Sequence, residues 1–152
     1  MKYFTKELWM LMNSGDARKS QAAAAQWQEN LRCYEAYLST IKNKKATAFL
    51  KSLDQHKGLH DYDVEYIKYD VQRSVCEIGL DYCGKCRLRF AGVRELRADM
   101  GELNKSFPKL RWGYHEIELL DDGTWRFSML FDWENELEIT AKSAALDCDI
   151  HK

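Results

Sequence analysis

Apolar and polar side chains alternate along the C-terminal part of the chain, and this alternation predicts antiparallel strands. In residues 124–132 large apolar side chains recur at every second position, with charged and small polar side chains between them. A period of two places successive side chains on opposite faces of a strand. Residues 114–120 and 137–141 follow the same pattern, and the Asp122-Gly123 step is typical of a tight hairpin turn. These segments predict a three-stranded meander with one apolar face and one charged face.

Four earlier segments have the same period of two. The predicted strands are residues 63–70, 74–82, 85–91 and 93–100. The stretch 101–111 shows no regular pattern and holds the single proline, Pro108, so it is predicted to connect these strands to the meander.

The N-terminal third has the period of helices instead. Residues 17–42 contain an alanine run followed by apolar side chains at spacings of three and four, which predicts a long amphipathic helix. Shorter helices are predicted at residues 1–12 and 47–56, the latter ending before Gly58. For residues 1–12 the alternative is a strand added to the edge of the sheet.

The apolar stripe of the long helix predicts what covers the sheet. An antiparallel sheet with one apolar face needs a cover on that face only. We therefore expect Trp27, Leu31 and Leu38 to pack against Phe127 and Ile139. The predicted fold is α+β, with N-terminal helices packed on one face of a mainly antiparallel sheet that the C-terminal two-thirds form.

Length and composition fit one domain. The chain has 152 residues, 45% of them hydrophobic, with no repeat and no linker rich in glycine and serine. We expect a single domain, 1–152, with a helical layer at 1–58 and the sheet at 59–152. The formal net charge of −1 gives no reason to expect binding to nucleic acid or to an anionic membrane.

Charge is nevertheless distributed unevenly. Residues 1–58 hold ten Lys and Arg against five Asp and Glu, whereas residues 59–152 hold thirteen against nineteen. On the predicted outward faces, the basic set is Lys85, Arg87, Arg89 and Arg97, and the acidic set is Glu116, Glu118, Glu136 and Glu138. Opposite charges on neighbouring strands stabilise each other by roughly 0.2–1 kcal/mol per pair. If the two sets are not neighbours, an acidic patch remains that could meet a basic protein partner.

The cysteines raise a question of chemistry. Five cysteines without a recognisable signal peptide or transmembrane segment predict reduced thiols and a cytoplasmic location. Cys83 and Cys86 have the spacing of a zinc knuckle or a redox pair, and Cys148 with His151 could supply two more zinc ligands. A redox motif would normally begin a helix, whereas this one lies at a predicted turn between strands. The alternative is a turn cysteine beside a core cysteine, and no cofactor is predicted.

Two segments offer polar groups for a binding site. His60 and Asp61 follow the third predicted helix, where such a pair can orient a general base or only tie a helix-to-strand corner by hydrogen bonds. Trp112, Tyr114 and Glu116 follow the long irregular stretch, which favours a pocket rim or a partner contact. Their alternative is a core tryptophan beside a tyrosine with its hydroxyl in water. The sequence has no glycine-rich phosphate loop, no nucleophile elbow and no metalloprotease motif.

Four segments of the sequence are distinctive: MKYFTKELW, QAAAAQWQENLRCYEAYL, GLHDYDV at 58–64 and WGYHEIELLDDG at 112–123. Together they resemble a family of small bacterial proteins filed as a domain of unknown function. The resemblance implies an α+β fold and a bacterial intracellular setting, and it implies no activity. A looser resemblance at the level of fold connects the chain with sheet-based immunity proteins.

Three functional hypotheses follow. The first is a non-enzymatic cytoplasmic protein that binds another protein through the charged sheet face and the loop around Trp112. The second is a small-molecule-binding or hydrolytic domain with a site near His60, Asp61 and Tyr114. The third is a zinc or redox site at Cys83 and Cys86.

Overall fold

The computed structural model describes residues 1–82, 84–100, 110–132 and 135–148. In these ranges the helices are α1 (Lys6–Met12), α2 (Ala17–Thr40) and α3 (Lys44–Gln55), followed by a 3₁₀ turn, Lys57–Leu59. The strands are β1 (Asp63–Asp70), β2 (Val75–Asp81), β3 (Lys85–Ala91), β4 (Glu95–Asp99), β5 (Leu110–Leu119), β6 (Trp125–Phe131), β7 (Glu136–Ala141) and β8 (Ser143–Cys148). The predicted α+β class is confirmed.

Each α-helix begins after a side chain that accepts hydrogen bonds from its first turn. Thr5, Asp16 and Asn43 accept from backbone N–H groups of α1, α2 and α3. These side chains satisfy donors that have no partner within the helix. The prediction of a helix within residues 1–12 is therefore confirmed. Among the described helices, none combines the length and apolar character needed to cross a bilayer.

The eight described strands form one antiparallel sheet in the order β4-β7-β6-β5-β1-β2-β3-β8. The predicted meander corresponds to β5, β6 and β7, and its first turn uses Gly123 at φ 78°. Strand β5 begins at Leu110, inside the stretch that was predicted to be irregular, and β8 was not predicted at all. Residues 101–109 of that stretch, with Pro108, lie outside the described residues.

The sheet turns a corner where β3 leads into β4 and β7 leads into β8. The β3–β8 pair and the β4–β7 pair meet there, and the Lys142 N–H donates to the Ala91 and Gly92 carbonyls. Gly92 has φ 64°, and a Cβ atom at this position would lie 2.8 Å from the Lys142 side chain. Beyond the corner the two halves of the sheet share one core, because the rings of Phe90 in β3 and Phe127 in β6 lie 5.2 Å apart.

Helix α3 fills this main core. Its buried side chains are Ala46, Phe49 and Leu53. The Phe49 ring lies 5.7 Å from Trp125 and 5.9 Å from Phe127. The short and fully apolar face of α3 therefore covers the apolar side of the meander.

The expected role of α2 was wrong in this respect. Trp27, Leu31 and Leu38 do not pack on Phe127 and Ile139, which belong to the main core. They pack instead in a separate aromatic cluster, built around Phe4, Trp27, Tyr34 and Tyr114.

The reason lies in the tyrosines of α2 and in the edge of β5. Strand β5 pairs with β1 over only two residues, so the rest of that edge has no strand beside it among the described residues. The hydroxyls of Tyr34 and Tyr37 accept hydrogen bonds from the backbone N–H groups of Ile117 (2.7 Å) and Leu119 (2.8 Å). Buried backbone donors need partners, and tyrosine hydroxyls also need them when they are buried. Helix α2 therefore closes the edge of β5 and leaves the apolar face to α3.

Glu116 attaches the N-terminal segment to the outer face of β5. Its Oε1 accepts from the N–H groups of Tyr3 and Phe4, both at 2.6 Å, and its Oε2 accepts from the N–H of Lys2 at 2.7 Å. Hydrogen bonds to a charged acceptor are stronger than those between neutral groups. This carboxylate holds the segment that carries Phe4 into the aromatic cluster.

We predict that Glu116→Gln lowers the free energy of unfolding by roughly 1.5–3 kcal/mol, because one amide nitrogen would face backbone donors and the charge would be lost. The matched control is Glu118→Gln, since Glu118 is exposed and pairs only across the surface with Arg126. For this control we expect a loss below about 1 kcal/mol. Urea unfolding followed by tryptophan fluorescence measures both values, and equal losses would contradict the role assigned to Glu116.

Candidate functional site

The structure brings His60, Asp61 and Tyr114 together. His60 Nδ1 lies 3.1 Å from Asp61 Oδ2, and the His60 and Tyr114 rings lie 5.1 Å apart, edge to face. The Asp61 N–H donates to the Trp112 carbonyl at 2.9 Å, which fixes the loop beside β5. Burial and then the charge of Asp61 raise the pKa of Tyr114, so its phenol stays protonated at neutral pH.

The loop that carries this group has an unusual backbone. Lys57, Leu59 and Asp61 all have positive φ, at 53°, 64° and 69°, beside Gly58 at 62°. Such conformations cost of order 1–3 kcal/mol per non-glycine residue and persist only where the surroundings enforce them. Here Leu59 is fully buried and provides that restraint.

A cleft of about 520 Å³ opens beside this loop. It is lined by Asp61, Asp63, Asp81, Tyr82 and Arg111. Arg111 Nε lies 3.7 Å from Asp63 Oδ1, so one of the carboxylates has a cationic neighbour. His60 and Tyr114 do not line this cleft. The predicted residues are therefore neighbours, but only Asp61 faces the cavity.

The other two predicted site residues, Trp112 and Glu116, have structural roles. A register shift between Trp112 and Tyr114 turns the first inward and the second outward. It occurs at Gly113, where a Cβ would lie 2.9 Å from the Leu130 carbonyl oxygen. Trp112 is 0% exposed in the main core, and Glu116 is occupied by backbone N–H groups. Trp112 therefore offers no surface to a partner, and both carboxylate oxygens of Glu116 already accept hydrogen bonds.

His115 lies on the inner side of the same strand. Its ring stacks on Phe127 with centroids 5.4 Å apart, and the Trp112 ring lies 5.9 Å away. Burial lowers the pKa of His115 from the ordinary 6.5 to about 4, against a smaller opposing effect of a hydrogen bond with the Gly58 backbone. The imidazole is therefore neutral at physiological pH.

A second cleft, of about 300 Å³, lies between the N-terminal segment, α2 and the outer face of β5 to β7. We call it the outer cleft. Its lining combines tyrosines with charged and polar side chains: Met1, Lys2, Tyr3, Tyr34, Tyr37, Glu116, Ile117, Glu118, Arg126, Ser128 and Glu138. The acidic positions of this face were predictable from the sequence, but the cleft was not. Two of its tyrosines, Tyr34 and Tyr37, come from a helix about eighty residues before β5.

Two of the three glutamates in the outer cleft, Glu118 and Glu138, share one arginine. Arg126 lies 2.9 Å from Glu118 and 3.8 Å from Glu138, and the Ser128 hydroxyl donates to Glu138 at 3.2 Å. Two basic side chains of β3 have other partners. Lys85 pairs with both Glu65 and Asp81, and Arg87 pairs with Asp147. Arg97 faces Glu138 across β4 and β7 but forms an ion pair with Glu95. The two charged sets are therefore mostly not neighbours.

The cysteines depart from the expectation of reduced thiols. Cys86 and Cys148 face each other across β3 and β8 and form a disulfide. The expectation was wrong because β8, which was not predicted, brings Cys148 beside Cys86. Cys33 and Cys76 are free, whereas Cys83 and His151 lie outside the described residues.

His56 completes a cluster with the two paired cysteines. One ligand atom from each of His56, Cys86 and Cys148 lies within 4.8 Å of the others. Of the predicted metal candidates, the structure places Cys86 in this cluster. The sequence contained Cys148 as a candidate partner. The spacing of four between His56 and His60 suggested a metal pair that Gly58 interrupts, and it gave no sign that His56 would join the cysteines.

Comparison with models of known protein families finds no match, and comparison with curated proteins finds none. Geometry is therefore the basis for interpreting three sites: the outer cleft, the cleft beside Asp61 and the histidine–cysteine cluster.

The low pKa of His115 predicts a pH effect on stability. Unfolded chains bind a proton at this residue near pH 6.5 and the folded protein only near pH 4, so stability falls as pH drops from 6.5 toward 4. We expect the loss between about pH 7 and pH 5 to be about 1–2 kcal/mol, because only the unfolded chain takes up the proton in this range. His115→Gln should remove this part of the loss in urea unfolding, and His60→Gln, at an exposed histidine, should not. A wild-type profile identical to that of His115→Gln would contradict the assignment.

Proposed function

We propose that this chain is a non-enzymatic protein-binding domain of the immunity or accessory type. Its partner is a protein segment rich in lysine or arginine. The observation that carries the proposal is the outer cleft, where carboxylates and tyrosines from three parts of the chain line one cavity on the charged sheet face.

Charge supports a basic partner. Three glutamates line the cleft with two cationic side chains, Lys2 and Arg126, so its side chains carry a net negative charge. Within this set Glu118 and Glu138 share Arg126. A cationic side chain entering beside Arg126 would complete the pairing of both carboxylates. Complementary charge of this kind speeds encounter and selects the partner.

The walls of the cleft support a protein rather than a simple ion. Tyr3 and Tyr37 give it amphipathic surfaces, and tyrosine is enriched where proteins bind one another. The Tyr3 and Tyr34 rings are 5.2 Å apart, and Tyr34 and Tyr37 are stacked at 6.3 Å. Because these rings are already ordered by their contacts, binding would cost little side-chain entropy.

We predict that the wild-type chain retains a stoichiometric partner from lysate at low salt, and that the double variant Glu118→Gln/Glu138→Gln binds it at least about tenfold more weakly. The matched control is Asp70→Asn, since Asp70 is an exposed carboxylate on β1, which pairs with Arg73 away from the cleft. Titration calorimetry with the purified partner measures the affinities, and rising salt should weaken the wild-type complex.

Failure to recover a partner, or equal affinity of the double variant and the wild type, would contradict this proposal. So would a captured partner without a basic segment. Gene order gives an independent test, because a toxin gene beside this one is expected for an immunity protein.

A second candidate function, in small-molecule binding or hydrolysis, rests on the contact of His60, Asp61 and Tyr114 beside an open cleft. A carboxylate oriented by an imidazole can act as a general base. We predict for this candidate that Asp61→Asn lowers hydrolysis of a phosphoester or carboxyl ester by about a hundredfold or more. Asparagine tolerates the positive φ of this position, so the loop should keep its shape. Asp70→Asn is again the control, and wild-type protein without activity on either class of substrate would remove the candidate.

A further inference from the structure

We propose that His56, Cys86 and Cys148 bind a zinc ion when the disulfide is reduced. This site is separate from the outer cleft, so it stands or falls independently of the proposed protein binding. The zinc-bound and the disulfide-bonded states exclude each other, because the same two sulfur atoms serve both.

The fold gathers the three side chains from distant parts of the sequence. Cys86 begins the buried face of β3, and its partner in the antiparallel register is Cys148 in β8. His56 directly follows α3 as its C-terminal cap, and α3 packs against β8. The ligand atoms already lie within 4.8 Å of one another. Around tetrahedral zinc such atoms lie about 3.5–3.8 Å apart. The two sulfurs, which are bonded in the disulfide, therefore move apart after reduction, and the imidazole needs a shift of about 1 Å or less.

The donor set matches zinc in type and charge. Two thiolates and one imidazole form a site with two negative charges, which balances Zn²⁺, and mixed sulfur and nitrogen ligands in a tetrahedron select zinc among common cations. Three protein ligands leave one coordination position. In the sequence Cys83 and His151 stand three residues from Cys86 and Cys148, but both lie outside the described residues, and the proposal does not depend on them.

His56 is also oriented in the manner of a metal-binding histidine. The Tyr62 hydroxyl lies 3.4 Å from His56 Nδ1. Tyr62 is itself held in place, since its ring stacks on Tyr82 with centroids 5.2 Å apart. A hydrogen-bonded neighbour that fixes the imidazole ring is characteristic of zinc sites.

Conversion of the disulfide-bonded state to the zinc-bound state takes two steps. A thiol reductant transfers two electrons and two protons to the disulfide, which gives two cysteine thiols and the oxidised reductant. Zinc then displaces the two thiol protons and binds both thiolates and the imidazole. Cys76 takes no part, because burial raises the pKa of its thiol to about 11 and it lies apart from the cluster.

The experiment compares the full chain in its oxidised and reduced forms. A phosphine reductant opens the disulfide without supplying competing thiols, and zinc chloride is then added and the excess removed. We expect one zinc ion per reduced chain and none per oxidised chain by elemental analysis. Cobalt chloride in place of zinc should give reduced protein the visible absorption of tetrahedral cobalt and a charge-transfer band from thiolate.

Variants test the individual ligands under reducing conditions. Cys148→Ser and His56→Asn should each weaken zinc binding at least about a hundredfold in competition with a chromophoric chelator. Tyr62→Phe should weaken it about tenfold, since it removes only the orienting hydroxyl. The matched controls are Cys33→Ser, at an exposed free thiol, and His60→Asn, and both should bind zinc as the wild type does.

The proposal is overturned if the reduced wild type retains no more zinc than the oxidised wild type, a comparison that needs no variant. It is also overturned if His56→Asn and Cys148→Ser leave the affinity unchanged. Circular dichroism of each reduced variant without metal shows whether it folds, and asparagine at position 56 keeps a residue suited to a helix C-terminus.

Discussion

The open edge of β5 is the constraint on which the N-terminal half of the structure depends. Strands β1 and β5 pair over two residues only, so the following backbone N–H groups of β5 need other acceptors. The hydroxyls of Tyr34 and Tyr37 supply them, and this fixes the place of α2. The outer cleft follows from the same arrangement, because α2 and the N-terminal segment then stand beside the charged face of β5 to β7 instead of covering the apolar one.

The turn between α3 and β1 also determines where candidate residues lie. Its positive φ values allow His56 to point toward β3 and β8 while His60 and Asp61 approach Tyr114. Leu59, buried between them, holds the turn in this shape. Two candidate sites thus depend on one strained loop, and that loop is restrained by the core that α3 fills.

The strands and the meander turn were predictable from the sequence because a period of two and an Asp-Gly step are local signals. The position of α2 was not, because an amphipathic stripe shows that a face is buried without showing against what. In this stripe the tyrosines were the missed signal, since their hydroxyls suit a strand edge better than an apolar sheet face. The histidine–cysteine cluster was not predictable either, since it depends on the register of β8, whose six residues alternate only weakly. The second hypothesis required His60 and Asp61 to lie near Tyr114, but the direction in which these side chains face depends on backbone angles that the sequence does not reveal.

The bond between Cys86 and Cys148 also has a mechanical consequence. Strand β8 is at one end of the sheet order, and its one partner among the described strands is β3. A pulling force applied beyond Cys148 passes through the sulfur bridge into β3, which is hydrogen-bonded on its other side to β2. The disulfide thus transmits tension into the interior of the sheet, and β8 stays attached until β3 itself separates from β2.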